Sequence, residues 1–126
     1  MEPEAQERIT KKIEEVKTAF GKDIVALLKQ VNATHLAGKG KVAATPVVDR
    51  ASLRWTLGWE QDKISYDLNV VIRFDDDGQT ARAAGVWVHR HASTPMEFEG
   101  HTPTTRMHRL TGLSIKEIRE AIEAEW

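Results

Sequence analysis

Residues 53–91 read LRWTLGWEQDKISYDLNVVIRFDDDGQTARAAGVWVHRH. An apolar residue recurs at every second position: Leu53, Trp55, Leu57 and Trp59, then Ile64, Tyr66, Leu68, Val70, Ile72 and Phe74. Successive side chains of a β-strand point to opposite faces, so each set lies along one side of a sheet. The interleaved residues, among them Arg54, Thr56, Gly58, Glu60, Ser65, Asp67, Asn69 and Arg73, are mostly polar. The stretch therefore reads as three strands of an antiparallel meander with one face inside.

Turn chemistry sets an expected register. Glu60-Gln61-Asp62-Lys63 separates Trp59 from Ile64, which suits a two- or four-residue hairpin. Setting Trp59 opposite Ile64 pairs Leu57 with Tyr66, Trp55 with Leu68 and Leu53 with Val70. In the second turn, Asp76-Asp77-Gly78 suits a three-residue loop, with glycine in the left-handed position. That loop pairs Asp75 with Gln79, Ile72 with Arg82 and Leu68 with Val86. Ala84, Val86 and Val88 then face inward, and Ala83, Gly85, Trp87, His89 and His91 face outward. On this register Trp87 lies across from Asp67 and Thr56, and His89 across from Ser65 and Gly58. A one-residue slip would exchange the two faces.

Around this core the chain reads as covering. Ile9, Ile13, Val16, Phe20, Ile24, Leu27 and Val31 recur at intervals of three and four, one stripe of a helix over 4–33, widened by Leu28. Such a helix is roughly 45 Å long at 1.5 Å per residue, so its first turns are expected to overhang the sheet and offer a self-association surface. Gly21 marks a soft break. Residues 34–51 are connective, with an edge strand near Val47-Val48 after Pro46. Met96 and Phe98 alternate with Glu97 and Glu99 as a short fourth strand or two apolar pegs. Ser114-Ile115-Lys116-Glu117 fits a capping box, with Leu113 stapling Ile118, and Ile115, Ile118 and Ile122 form a buried stripe.

The expected fold is α+β in a single domain, residues 1–126. A long N-terminal helix packs on a three- to four-stranded antiparallel β-meander (52–91), followed by C-terminal helices within 104–125.

Composition bounds the function. The 126 residues carry 18 basic and 19 acidic side chains, a formal charge of −1, so no global field draws the protein to nucleic acid or anionic membrane. With no cysteine, disulfides, thiolate metal sites and thiol catalysis are excluded. No apolar run approaches the ~18 residues of a membrane span, and the acidic start Met1-Glu2-Pro3-Glu4 is unlike a secretory leader. A cytoplasmic location is the expectation.

Several local patterns fail as motifs. Gly38-Lys39-Gly40-Lys41 has the wrong spacing for a phosphate loop. Asp75-Asp76-Asp77 lacks the glutamate of a helix-loop-helix calcium site, because Val86 stands there. His89-x-His91 has the spacing of two ligands on one strand face, with Asp67 beside them, but nothing brings His101 or His108 to them as a third ligand. Asp67 and His89 form an acid–base pair in type, but no nucleophile motif accompanies them.

Residues Arg106 through Glu123, with Thr111-Gly112-Leu113-Ser114 before Ile115 and Ile118, resemble the turn and second helix of helix-turn-helix DNA-binding proteins. The resemblance departs where His108 replaces a small residue of the first helix. Glu117, Glu120, Glu123 and Glu125 around Lys116 and Arg119 oppose phosphate contact.

The remaining signal is Trp87, a large aromatic on the face that should be wet; tryptophan is enriched at interface centres. The sequence is therefore expected to encode a small, non-enzymatic binding, adaptor or regulatory module without cofactor or metal. It would act through protein–protein contacts, with another protein or with itself as a homodimer. Arg54, Thr56, Asp67, Trp87, His89 and His91 form the expected contact surface. The alternatives are a DNA-binding regulator using the C-terminal segment and a small metal-dependent enzyme using the His89/His91 face.

Overall fold

The computed structural model describes residues 3–43, 45–93 and 104–125. Met96, Phe98, His101 and Trp126 lie outside them. A single helix, α1 (Pro3–His35), precedes strands β1 (Lys41–Val42), β2 (Val47–Asp49), β3 (Ser52–Gln61), β4 (Ile64–Asp76), β5 (Ala81–Ser93) and β6 (Thr104–Leu110), and α2 (Ile115–Glu123) closes the chain. The antiparallel sheet has six strands in the order β1-β3-β4-β5-β6, with β2 pairing the other end of the β3 edge. The expected α+β class holds, with a larger sheet than the meander alone.

The inner face carries the core. Leu53, Trp55, Leu57, Leu68, Val70, Ile72, Phe74, Val86 and Val88 are buried against Ile9, Ile13, Val16, Ile24, Leu27, Leu28 and Val31 of α1 and Ile118, Ala121 and Ile122 of α2. Both helices thus cover the same side, as expected for a sheet that buries one face. Trp59 sits at the rim, stacked on Tyr66 with ring centroids 5.4 Å apart.

The register differs from the expected one in both hairpins. Asp62 and Lys63 both take positive φ (53° and 66°), the conformation of a two-residue hairpin turn whose twist matches the strands. Leu57 therefore faces Leu68, Trp55 faces Val70 and Leu53 faces Ile72, each two positions beyond the expected partner. In the second hairpin the loop is residues 77–80. Asp77 accepts from the amides of Gln79 (3.0 Å) and Thr80 (2.6 Å), and Asp76 from that of Gly78 (2.9 Å). Ile72 faces Val86 rather than Arg82, and Leu68 faces Arg90 rather than Val86. Both slips are even, so most side chains keep their face.

The exception lies at a bulge. Arg73 pairs with Gly85 and Phe74 with Ala83, leaving Ala84 as the extra residue. Ala83 consequently packs against the core, and Ala84 is exposed, the reverse of the expectation for both.

The termini also depart from expectation. The first turns of α1 do not overhang: Arg8 grips Asp76 through Nε (3.2 Å) and Nη2 (2.7 Å), and Gln6 donates to the Arg50 carbonyl at 3.0 Å. The Arg8 guanidinium and the Gly78 amide hold the Asp76 carboxyl below its ordinary pKa. Gly21 leaves α1 unbroken. Gly40 is clasped by Asn32, which accepts from its amide (2.7 Å) and donates to its carbonyl (3.0 Å). A Cβ there would meet Asn32 Oδ1 at 2.8 Å and Leu57 Cδ1 at 2.9 Å, so a larger residue would have to displace both side chains, the Asn32 clasp included.

Residues 104–110, expected within a helix, form β6 against β5, from Ala92↔Thr104 to Val86↔Leu110. The long β5 strand offers a free edge there, and pairing to it satisfies the backbone without a helix. The helix-turn-helix arrangement is therefore not formed. The capping box is not formed either: Ser114 makes no side-chain cap bond, and Glu117 Oε1 accepts from the Thr111 hydroxyl at 2.6 Å instead. Beyond α2, the side chain of Glu125 is fully buried, 2.9 Å from His108 Nε2, and the Glu125 carbonyl accepts from Arg90 at 3.3 Å. These contacts fasten the chain end to β5 and β6.

Candidate interaction surface

The outer face is built from the polar alternates of β3, β4, β5 and β6, and no described helix lies on it. Val86 and Val88 point inward, so Trp87 points outward, as the alternation requires. Its indole lies along its own strand over Gly85; a Cβ at that glycine would fall 2.3 Å from Trp87 Cη2. Glycine at 85 thus provides the bed on which the ring rests. Across the sheet, Trp87 pairs with Val71 of β4 and Arg109 of β6, rather than with Asp67. The Arg109 guanidinium stands 5.7 Å from the ring centroid and that of Arg73 stands 6.0 Å away, both in the range of cation–π attraction. The half-buried indole is therefore framed by two cations.

Next to it runs a row of polar side chains. His89 faces Asn69, which faces Thr56; His91 faces Asp67, which faces Gly58. The expected pairing of His89 with Ser65 is replaced by one with Asn69. Asn69, only 5% exposed, is the hub: Thr56 Oγ1 donates to its Oδ1 at 2.8 Å, and its Nδ2 donates to Asp67 Oδ1 at 2.7 Å. The reverse orientation of the amide would set an oxygen against the Asp67 carboxylate, so the carboxylate fixes which way Asn69 points.

Arg54 stands exposed on β3 between Val47 of β2 and Val71 of β4. Together with Val48, Ser52 and His89 they line a hollow of about 310 Å³. His89 Nδ1 is buried there without a hydrogen-bond partner. Burial depresses the His89 pKa; Asp67 pulls the other way, and Arg54 and His91 reinforce the depression. The imidazole is thus held toward its neutral form. Val47 and Val48 are 52% and 51% exposed, adding apolar area at the sheet edge.

All six residues expected at the surface, Arg54, Thr56, Asp67, Trp87, His89 and His91, fall on this face. Arg73, Arg109, Asn69 and Val71 belong with them. Asn69, Val71 and Arg73 were legible as outward alternates of β4, whereas Arg109 required β6 to be recognised as a strand. Among the described residues no group of three His, Asp or Glu side chains is placed to hold a metal ion. His108 lies apart, engaged with Glu125. No described helix is long and apolar enough to cross a membrane.

The fold and this face define a two-layer α+β protein with helices on one side of its sheet and an aromatic, arginine-framed surface on the other. No protein-family model, curated protein or solved structure matches the chain.

Proposed function

We propose that this protein is a non-enzymatic binding module whose outer sheet face engages an acidic, partly apolar segment of a protein partner. The observation that carries this reading is the Trp87 indole, laid over Gly85 and framed by Arg73 and Arg109. Tryptophan and arginine are the residue types that dominate interface energetics, and the half-exposed ring still has area to bury. Arg54, Arg73 and Arg109 stand around the indole and the adjoining hollow, where Asp49 is the lining carboxylate, while Asp67 lies further along β4 and is engaged by Asn69. A second copy of this chain is the less favoured occupant. An isologous contact through this face would set the arginines of one protomer against those of the other.

The test is selection from a random peptide display library on the immobilised protein, with Trp87→Ala as counter-target. Enrichment of Glu- and Asp-rich sequences carrying an apolar anchor supports the proposal. Enrichment that is indifferent to Trp87, or of basic sequences, overturns it. Light-scattering mass on the same sample reports a homodimer. Retardation of a single- or double-stranded oligonucleotide that weakens steeply with salt would assign the face to nucleic acid instead.

A further inference from the structure

The sheet has a step in its edge beside Trp87. Strand β5 runs from Ala81 to Ser93, but its pairing with β6 extends only from Ala92↔Thr104 to Val86↔Leu110. From Leu110 the chain turns through 111–114 toward α2 on the helix side, where Leu113 packs against the core. Residues 81–85 therefore pair with β4 on one side, and among the described residues no backbone group pairs with theirs from the other. A strand bonded on one side leaves alternate N–H and C=O groups pointing outward, a template for another extended chain. The opposite edge of the sheet is not left this way, because β1 and β2, short as they are, cover both ends of β3.

The surroundings of the step are those of the binding face. Val86 pairs with the last residue of β6, so Gly85 is the first uncovered position, and the Trp87 indole lies over it. Arg109 stands near the end of β6, Arg73 faces Gly85 from β4, and Arg82 is exposed on the open stretch itself. Arg82 points to the outer face, because Ala81 and Ala83 on either side of it turn toward the core. The carboxylates near Arg82 are Asp75, its partner across β4, and Asp77 in the turn beyond. Arg73 and Arg109 make no ion pair among the described residues. An arginine on the edge and the bulge at Ala84 are devices that keep an edge from pairing with its own kind. The occupant they favour is a chain of complementary charge rather than a second copy.

We infer that the acidic partner segment binds in extended form, as a short strand added to residues 81–85 in line with β6. This mode of binding rests on the reading of the outer face given above and specifies how the partner is held. Main-chain hydrogen bonds to the open edge of β5 fix its path, as in other strand additions. An apolar side chain at the Gly85 end packs on the Trp87 indole, and acidic side chains reach Arg82 along the strand and Arg73 and Arg109 around the ring. The stretch offers about 17 Å of edge at ~3.4 Å per residue, the length of an ordinary short strand.

The probe is the tightest acidic peptide from the display selection, synthesised together with copies N-methylated at one peptide bond each. Amide hydrogen exchange of the ¹⁵N-labelled protein is followed with and without it. The expected result is that outward-pointing amides within 81–85 slow about tenfold or more when the peptide binds. N-methylation at alternate peptide bonds weakens binding about tenfold or more, and at the intervening bonds much less. Arg82→Glu, a change at an exposed position, weakens the unmethylated peptide about fivefold or more. Unchanged exchange at 81–85 with a peptide that still depends on Trp87 overturns strand addition and leaves the binding face standing. Protection confined to the outer edge of β6, equal affinity of every N-methylated copy, or undiminished affinity of Arg82→Glu overturns it as well. A peptide indifferent to Trp87→Ala removes the binding face, and the added strand with it. A doubled mass in the absence of peptide, with 81–85 protected, assigns the step to a second copy and overturns the peptide.

Discussion

Asn69 donates its side-chain amide to Asp67 across 2.7 Å while accepting from Thr56 at 2.8 Å, on the sheet face that no described helix covers. This relay keeps a carboxylate oriented next to His89 and His91. Asn69→Asp would place two carboxylates in contact, which raises the pKa of one of them. A folded-state carboxyl pKa above the unfolded value gives stability that is present at low pH and lost as pH rises through it. The variant is therefore expected to unfold more readily at neutral pH than at about pH 4, relative to the parent. Asn69→Ala, which strands Asp67, is expected to cost about 1–3 kcal/mol at neutral pH in denaturant melts. A flat pH dependence of the Asn69→Asp deficit would contradict the relay.

Gly85 and Trp87 form a second such pair. The methyl of Gly85→Ala collides with the indole at 2.3 Å, but the ring is on the surface and can swing away. The expected result is a changed Trp87 environment, read as a shift of its indole N–H signal, with a stability loss of no more than about 1–3 kcal/mol. Binding of an acidic peptide weakens with it, because the ring leaves its place between Arg73 and Arg109. An unchanged Trp87 signal would mean that the ring does not rest on Gly85.

His89 is a source of pH dependence with a definite sign. Its folded-state pKa is depressed by burial, so protonation favours the unfolded chain. Its contribution to stability is present above the unfolded pKa of about 6.5 and falls away as pH drops through the folded value. His89→Gln removes this dependence. The parent and the variant are expected to converge or cross below about pH 6 relative to their difference at pH 8, as followed by thermal melts.

Much of this face was legible because sheet alternation survives even-numbered errors of register. The hairpins slip by two and four residues, yet Trp87, His89 and Asp67 stay outside, and Val86 and Val88 stay inside. Only the bulge at Ala84, an odd insertion, exchanged neighbours between faces, and no residue type at 83–85 announced which alanine would be extra. Strand β6 was not legible for a different reason. Thr104–Leu110 lacks alternation of its own, and its pairing is imposed by the free edge of β5. The strands β1 and β2, two and three residues long, are likewise defined by β3 rather than by their own composition. The buried carboxylate of Glu125 was hidden because its partners, His108 and Arg90, come from strands distant in sequence.

The most direct measurement is calorimetric titration of a display-selected acidic peptide into the parent protein and into Trp87→Ala, at low and at high salt. The account predicts at least a tenfold loss of affinity in Trp87→Ala, about 1.4 kcal/mol or more. It also predicts weaker binding to the parent as salt screens Arg73 and Arg109. Equal affinity for the two proteins, with no response to salt, would contradict the assignment of this face as the binding surface.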